Sequence, residues 1–168
     1  MTIYHAVLAV VLLQRGGELW LAHANTLWLI RRGATEIDRG GYTWFVVLHV
    51  AWLTALLLCV PATTAPDWLL LFLFFGLQLA RVWVIASLGR RWTTRLVVLP
   101  DANLVKAGPY RWLNHPNYLI VAAEMAILPL AFAAVAIAVV FSACNVLLLA
   151  RRIHLENTAL RPSQLSHS

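Results

Sequence analysis

The chain has 168 residues, of which 61% are hydrophobic and only 12% charged, a balance that excludes an ordinary soluble globular domain. No Pro/Gly/Ser-rich linker, low-complexity tract or internal repeat divides it, so residues 1–168 read as one domain. The formal charge of +6 does not point to nucleic acid, because the basic residues lie between apolar runs rather than on one solvated face.

The first apolar run, residues 3–30, is long enough to cross a bilayer, yet Gln14, Arg15, Gly16, Gly17 and Glu18 interrupt its middle. It reads as one span, kinked or locally opened at the glycine pair, in which Arg15 and Glu18 at i,i+3 satisfy each other. Although Ala22-His23-Ala24 has a small-x-small form, no basic residue precedes the run, so cleavage as a signal peptide is not expected. Residues 43–60 and 67–88 meet the length of a span cleanly.

The connection from Pro61 to Asp67 carries no Lys or Arg. By contrast, Arg31, Arg32 and Arg39 follow the first run, Arg90, Arg91, Arg95, Lys106 and Arg111 follow the third, and Arg151, Arg152 and Arg161 close the chain. By the positive-inside rule those three basic segments face the cytoplasm and the N-terminus lies outside. Arg81 is the deep cation of the third span and lies near enough to its cytoplasmic end to snorkel.

Residues 89–115 form a polar cytoplasmic connection with turn chemistry at Pro100, Asp101, Asn103 and Gly108-Pro109. The apolar stretch 117–150 is too long for one span and has basic flanks on both sides, which predicts a tight hairpin of spans 117–131 and 132–150. A helix end at 151–161 follows. The fold class is therefore all-α, an integral membrane helical bundle of about five transmembrane helices.

Chemistry concentrates in two places. In the loop, Gly108-Pro109 allows close backbone approach, Tyr110 and Trp112 offer faces to a flat heterocycle or a sulfonium cation, and His115 precedes a proline at the mouth of the fourth span. An interfacial aromatic belt with basic anchors has the same composition. On the last helix, steps of seven and four residues put Asn145, Arg152 and Glu156 on one stripe, running from amide to cation to carboxylate. A plain i,i+4 pair between Arg152 and Glu156 is the competing account. Glu124 lies inside an apolar span, where a carboxylate must be paired or protonated and should face the bundle interior, so a structural role, bonding to Arg15, Arg81, Gln78 or a kinked backbone, and a catalytic one are both open. Cys59 and Cys144 fall inside apolar runs and describe no disulfide framework. His5, His49 and His154 lack ligand-like spacing, and no metal site is expected.

At these residues the chain resembles the isoprenylcysteine carboxyl methyltransferase family, integral membrane enzymes that use S-adenosylmethionine. The resemblance rests on Leu104-Val105-x-x-Gly108-x-Tyr110, on His115-Pro116-x-Tyr118, and on Arg152 and Glu156 beyond the hairpin, over roughly residues 80–161. It implies that Ala102, Asn103, Leu104, Val105, Tyr110, His115, Pro116, Asn117, Tyr118 and Glu156 surround the cofactor and that Arg152 faces the acceptor. The sequence departs from the family at Asn114, where arginine is common, and at Asn157, where a second glutamate is usual. Gly17-Glu18-Leu19 with Asn25, and Glu124 with Leu128-Pro129-Leu130, look like a bacterial branch associated with methylating alkylpyrones or alkylresorcinols. The implied activity is methyl transfer from S-adenosylmethionine to an oxygen of a lipophilic small molecule entering from the bilayer, with the cofactor site on the cytoplasmic face of a bacterial inner membrane. Arg152 is then the substrate-holding residue, and Glu124 or His115 the base for a weakly acidic acceptor. Two rivals are a membrane reductase of related bundle fold using a nicotinamide cofactor, for whose phosphate the loop is short of cations, and a non-enzymatic membrane scaffold. Membrane lipids are the remaining expected partners.

Overall fold

The computed structural model describes residues 2–100 and 105–165, and in it the chain is an all-α bundle of five helices. These are α1 (Ile3–Ile30), α2 (Arg39–Cys59), α3 (Trp68–Leu88), α4 (Pro116–Ala131) and α5 (Val135–Leu165). Three segments, Gly40–Cys59, Trp68–Arg91 and Val135–Glu156, are long and apolar enough to cross a membrane, and α4 is a shorter apolar helix. Their lipid-facing sides carry large side chains such as Leu58, Phe72, Leu79 and Leu147, each more than 70% exposed, which a water-soluble bundle would bury.

Local chemistry sets the helix ends. Asp67 caps α3 by accepting from the amides of Leu69 and Leu70, and Asp38 caps α2 by accepting from Gly41 N–H. Pro116 opens α4, where its missing N–H costs no helical hydrogen bond. The α4–α5 turn passes through Ala133 at φ +56°, with the amides of Phe132 and Ala134 both donating to Pro129 O.

Several boundaries differ from those expected. Helix α1 continues through Gly16 and Gly17, because the polar residues beside them find partners on other helices and the backbone has no need to open. Helix α2 starts at Arg39 rather than residue 43, since the Asp38 cap recruits one more turn. Helix α5, by contrast, runs without interruption from Val135 to Leu165, as the expected helical stripe of Asn145, Arg152 and Glu156 requires. A two-residue antiparallel ladder, β1 (Thr35–Glu36) against β2 (Val97–Val98), pairs Thr35 with Val98 and Glu36 with Val97 and ties together the loops that follow α1 and α3.

The bundle has two unlike ends. At one, the α2–α3 and α4–α5 connections meet, Asp67 N–H donating to Ala131 O, over an apolar core that includes Tyr4, Leu56, Phe74, Leu128 and Phe132. The other end gathers the loops, the β ladder and the polar stretch of α5.

Between the two ends lies a charged layer. Glu124, 1% exposed, accepts from Arg15 Nη2 at 2.7 Å, Gln78 Nε2 at 2.9 Å, Arg81 Nε at 3.0 Å and Arg81 Nη2. Glu18 accepts from Arg15 and Arg81 at 2.7 and 2.9 Å and from Gln14 at 2.9 Å. Two guanidiniums and two carboxylates balance, which lets four charges occupy an apolar bundle. Arg81 therefore does not snorkel: it is 3% exposed and turned inward, because two carboxylates inside the bundle compete with water at the interface.

Candidate functional site

The site is built where the start of α4 meets the polar part of α5. Tyr118, in the first turn of α4, donates its hydroxyl to Glu156 Oε2 at 2.9 Å and accepts from Arg152 Nε at 2.9 Å. A phenol thus stands between the cation and the carboxylate that the helical stripe places four residues apart. Arg152 Nη1 donates to Thr94 O at 2.8 Å, and its guanidinium lies 5.4 Å from the ring centroids of both Phe45 and Tyr118. The His115 ring stacks on Tyr118 at 5.1 Å with an interplanar angle of 3°, and its Nδ1 is 3.7 Å from Glu156 Oε2. His115 and Glu156 keep about a quarter of their side-chain surface exposed, at 27% and 24%, so the cluster opens outward.

The loop ahead of α4 is pinned by Gly108. This residue has φ +55°, and a Cβ placed there would lie 2.1 Å from Ser87 Oγ and 3.2 Å from Trp83 Nε1 of α3. Only a residue without a side chain fits that approach and that backbone. The Gly108–Arg111 turn seats Tyr110 near Glu156: burial first, and the carboxylate's charge second, push the Tyr110 phenol up to about 12. Tyr110 is thus a neutral hydrogen-bonding group at physiological pH.

Of the residues singled out in the sequence, His115, Tyr118, Arg152 and Glu156 form one cluster with Tyr110 beside it. Val105, Pro116 and Asn117 lie in the adjoining loop and first turn, and Asn117 Oδ1 is buried without a hydrogen-bond partner among the described residues. Ala102, Asn103 and Leu104 lie outside the described residues. Glu124 belongs instead to the charged layer, with both oxygens engaged. Asn145, on the same stripe as Arg152, is fully buried, and neither amide atom has a partner among the described residues. Sequence reasoning missed Thr94 and Phe45. The first contributes only its backbone carbonyl and the second an ordinary aromatic ring, so neither carries a residue-type signal.

Residues 68–162 match the model of the isoprenylcysteine carboxyl methyltransferase (ICMT) family. The chain is also 32% identical over 159 residues to the uncharacterized protein YpbQ of Bacillus subtilis (strain 168), a similarity that covers 92% of this chain and 95% of that one. No solved structure matches the chain. The family match takes in α3, the Gly108 turn, the His115–Tyr118 stack and the Arg152 and Glu156 positions of α5, and this membrane protein belongs to the isoprenylcysteine carboxyl methyltransferase family.

Proposed function

We propose that the protein transfers a methyl group from S-adenosylmethionine to an oxygen of a lipophilic acceptor that enters from the bilayer. The reading rests on membership of a methyltransferase family and on one observation above all: Arg152 is held by two uncharged acceptors, Tyr118 Oη and Thr94 O. No carboxylate pairs with it directly among the described residues, so its charge and its Nη2 are available to an anionic oxygen.

The residues of the cluster suit this cofactor. Glu156 offers a carboxylate to polar or cationic groups, the stacked His115 and Tyr118 offer ring faces, and the loop held by Gly108 brings Tyr110 alongside. When bound, S-adenosylmethionine supplies an activated methyl group on a cationic sulfur. Arg152 holds the acceptor oxygen, Tyr118 fixes the positions of Arg152 and Glu156 relative to each other, and Glu156 orients the cofactor. An acceptor already anionic at neutral pH needs no strong base, and His115 is the base for a weakly acidic phenol. Glu124 is assigned to holding α1, α3 and α4 together. In this reading the loop end faces the cytoplasm of a bacterial inner membrane, as the Lys and Arg distribution favours. The acceptor is of the alkylpyrone, alkylresorcinol or prenylcysteine kind.

The test is methyl transfer from labelled S-adenosylmethionine to a panel of those three acceptor classes, run beside equilibrium binding of S-adenosylhomocysteine. Arg152→Lys keeps the charge but loses the planar fork, so transfer to an anionic acceptor falls while cofactor affinity holds. Glu156→Gln weakens cofactor binding by about 1–3 kcal/mol. Equal loss of cofactor affinity in both variants would refute this division of roles. Stabilisation of the purified protein by NADPH but not by S-adenosylhomocysteine would refute the methyltransferase reading itself.

A further inference from the structure

The C-terminal halves of α1 and α3 form a groove of about 650 Å³ whose lining includes none of the residues of the Arg152 cluster. Trp20, Ala24, Trp28, Ile85 and Ala86 line it, and its rim carries Arg31 and Arg90, both exposed. Segment 89–94 forms the wall between groove and site. Asn25 Nδ2 donates to Trp92 O at 2.7 Å on the groove side, Thr26 and Thr93 share a hydrogen bond, and Thr94 O receives Arg152 on the other.

The rim charges need a partner. Arg32 lies 4.0 Å from the centroid of Trp28 and Arg90 5.7 Å from the same ring, so two cations converge on one indole. A ring quadrupole attracts each of them but neutralises neither. Arg15, Arg81, Arg95 and Arg151 all have a carboxylate within 3.1 Å, whereas Arg31, Arg32 and Arg90 have none among the described residues, and no acidic residue lines the groove. Two arginines lining an apolar cleft, with a third stacked on its Trp28, complement a molecule with an anionic head and a hydrocarbon tail. A free phosphate would leave the apolar walls uncovered, and a neutral lipid would leave the charges unmatched.

We propose that this groove binds one anionic phospholipid, its acyl chain against Trp20, Ala24 and Ala86 and its phosphate between Arg31 and Arg90. The site is separate from the proposed catalytic cluster and stands whether or not that reading holds.

The experiment uses the full chain, purified in mild detergent and stripped of lipid, with native mass spectrometry after adding equal amounts of phosphatidylglycerol and phosphatidylcholine of identical acyl chains. One phosphatidylglycerol is retained in preference to phosphatidylcholine by on the order of tenfold, as expected for two cations near a membrane surface. Arg31→Gln with Arg90→Gln abolishes the preference, while Arg111→Gln, an exposed arginine outside the groove, preserves it. Ala86→Phe, a change on an exposed face that leaves every arginine in place, lowers retention of both lipids and decides the matter if the double variant does not fold. Equal retention of the two lipids by the unaltered protein overturns the proposal. So does equal loss of preference in Arg111→Gln, displacement of the lipid by inorganic phosphate, or a homodimer that forms in place of the lipid complex.

Discussion

Glu124→Gln tests whether the charged layer holds the bundle or performs chemistry. The substitution keeps the volume of Glu124 and two of its four accepted hydrogen bonds, turns an NH2 donor toward the other two donors, and leaves Arg15 and Arg81 facing Glu18 alone, a net buried charge of one. Interhelical hydrogen bonds in membranes average only about 0.6 kcal/mol. Stranding a buried charge costs about 3–5 kcal/mol, so the charge imbalance decides the outcome. We expect a loss near the lower end, about 3 kcal/mol, because Glu18 still binds both guanidiniums. Adding Arg81→Gln restores neutrality through the remaining Arg15–Glu18 pair at 2.7 Å. The double variant should therefore lose less than the sum of the two single variants, by roughly 1–2 kcal/mol. Reversible unfolding in mixed detergent micelles, followed by tryptophan fluorescence, measures all three. A Glu124→Gln protein of unchanged stability and cofactor affinity that no longer transfers methyl groups would make Glu124 a catalytic base and refute the structural assignment.

Two further outcomes follow from the same architecture. Gly108→Ala forces a Cβ to 2.1 Å from Ser87 Oγ at a backbone angle that costs about 1–2 kcal/mol for an L-residue, so binding of S-adenosylhomocysteine falls about tenfold or more while the bundle stays folded; Ser87→Ala in the same protein recovers part of that affinity, and wild-type binding in Gly108→Ala would disconnect the loop from the cofactor. Reporters inserted at Asn103 and fused after Arg161 should read cytoplasmic and one at Thr64 external, since Pro61 to Asp67 is free of Lys and Arg; the same side for Thr64 and Asn103 would remove the five-span topology.

The helices were legible because the bilayer imposes a length and a hydropathy that few substitutions disguise. The i,i+3 spacing of Arg15 and Glu18 likewise announced their pairing; Arg152 and Glu156 shared a helical stripe, and the family resemblance singled out Tyr118 together with them. Partnership across the bundle was legible only from the carboxylate's side: Arg15, Arg81 and Gln78 were the candidates to satisfy Glu124, and all three do. Arg81 was within snorkelling reach of water, and its inward turn depends on carboxylates 63 and 43 residues away, on α1 and α4. The same lack of local signal hid Thr94 O and the Thr35–Val98 ladder, whose partners meet only once α1 and α3 are side by side. Helix α1 failed to open at Gly16-Gly17 for a related reason: a glycine pair permits a break, but satisfied polar neighbours remove the cause for one.

Tyr118 explains why the polar end of α5 is more than a surface ion pair. Left to themselves, Arg152 and Glu156 at i,i+4 would meet for a few tenths of a kcal/mol and cancel each other's field. A phenol between them accepts from one and donates to the other, and each of those charge-assisted bonds is worth about 1.5–3 kcal/mol, so the bridged arrangement wins. Its geometric consequence is separation: the guanidinium is held toward Thr94 and Phe45, and the carboxylate toward His115. The interior layer does the opposite with the same residue types, bringing cations and carboxylates into direct contact until no net charge remains. One arrangement spends its charges on cohesion, and the other keeps a cation and an anion apart at an opening of the bundle.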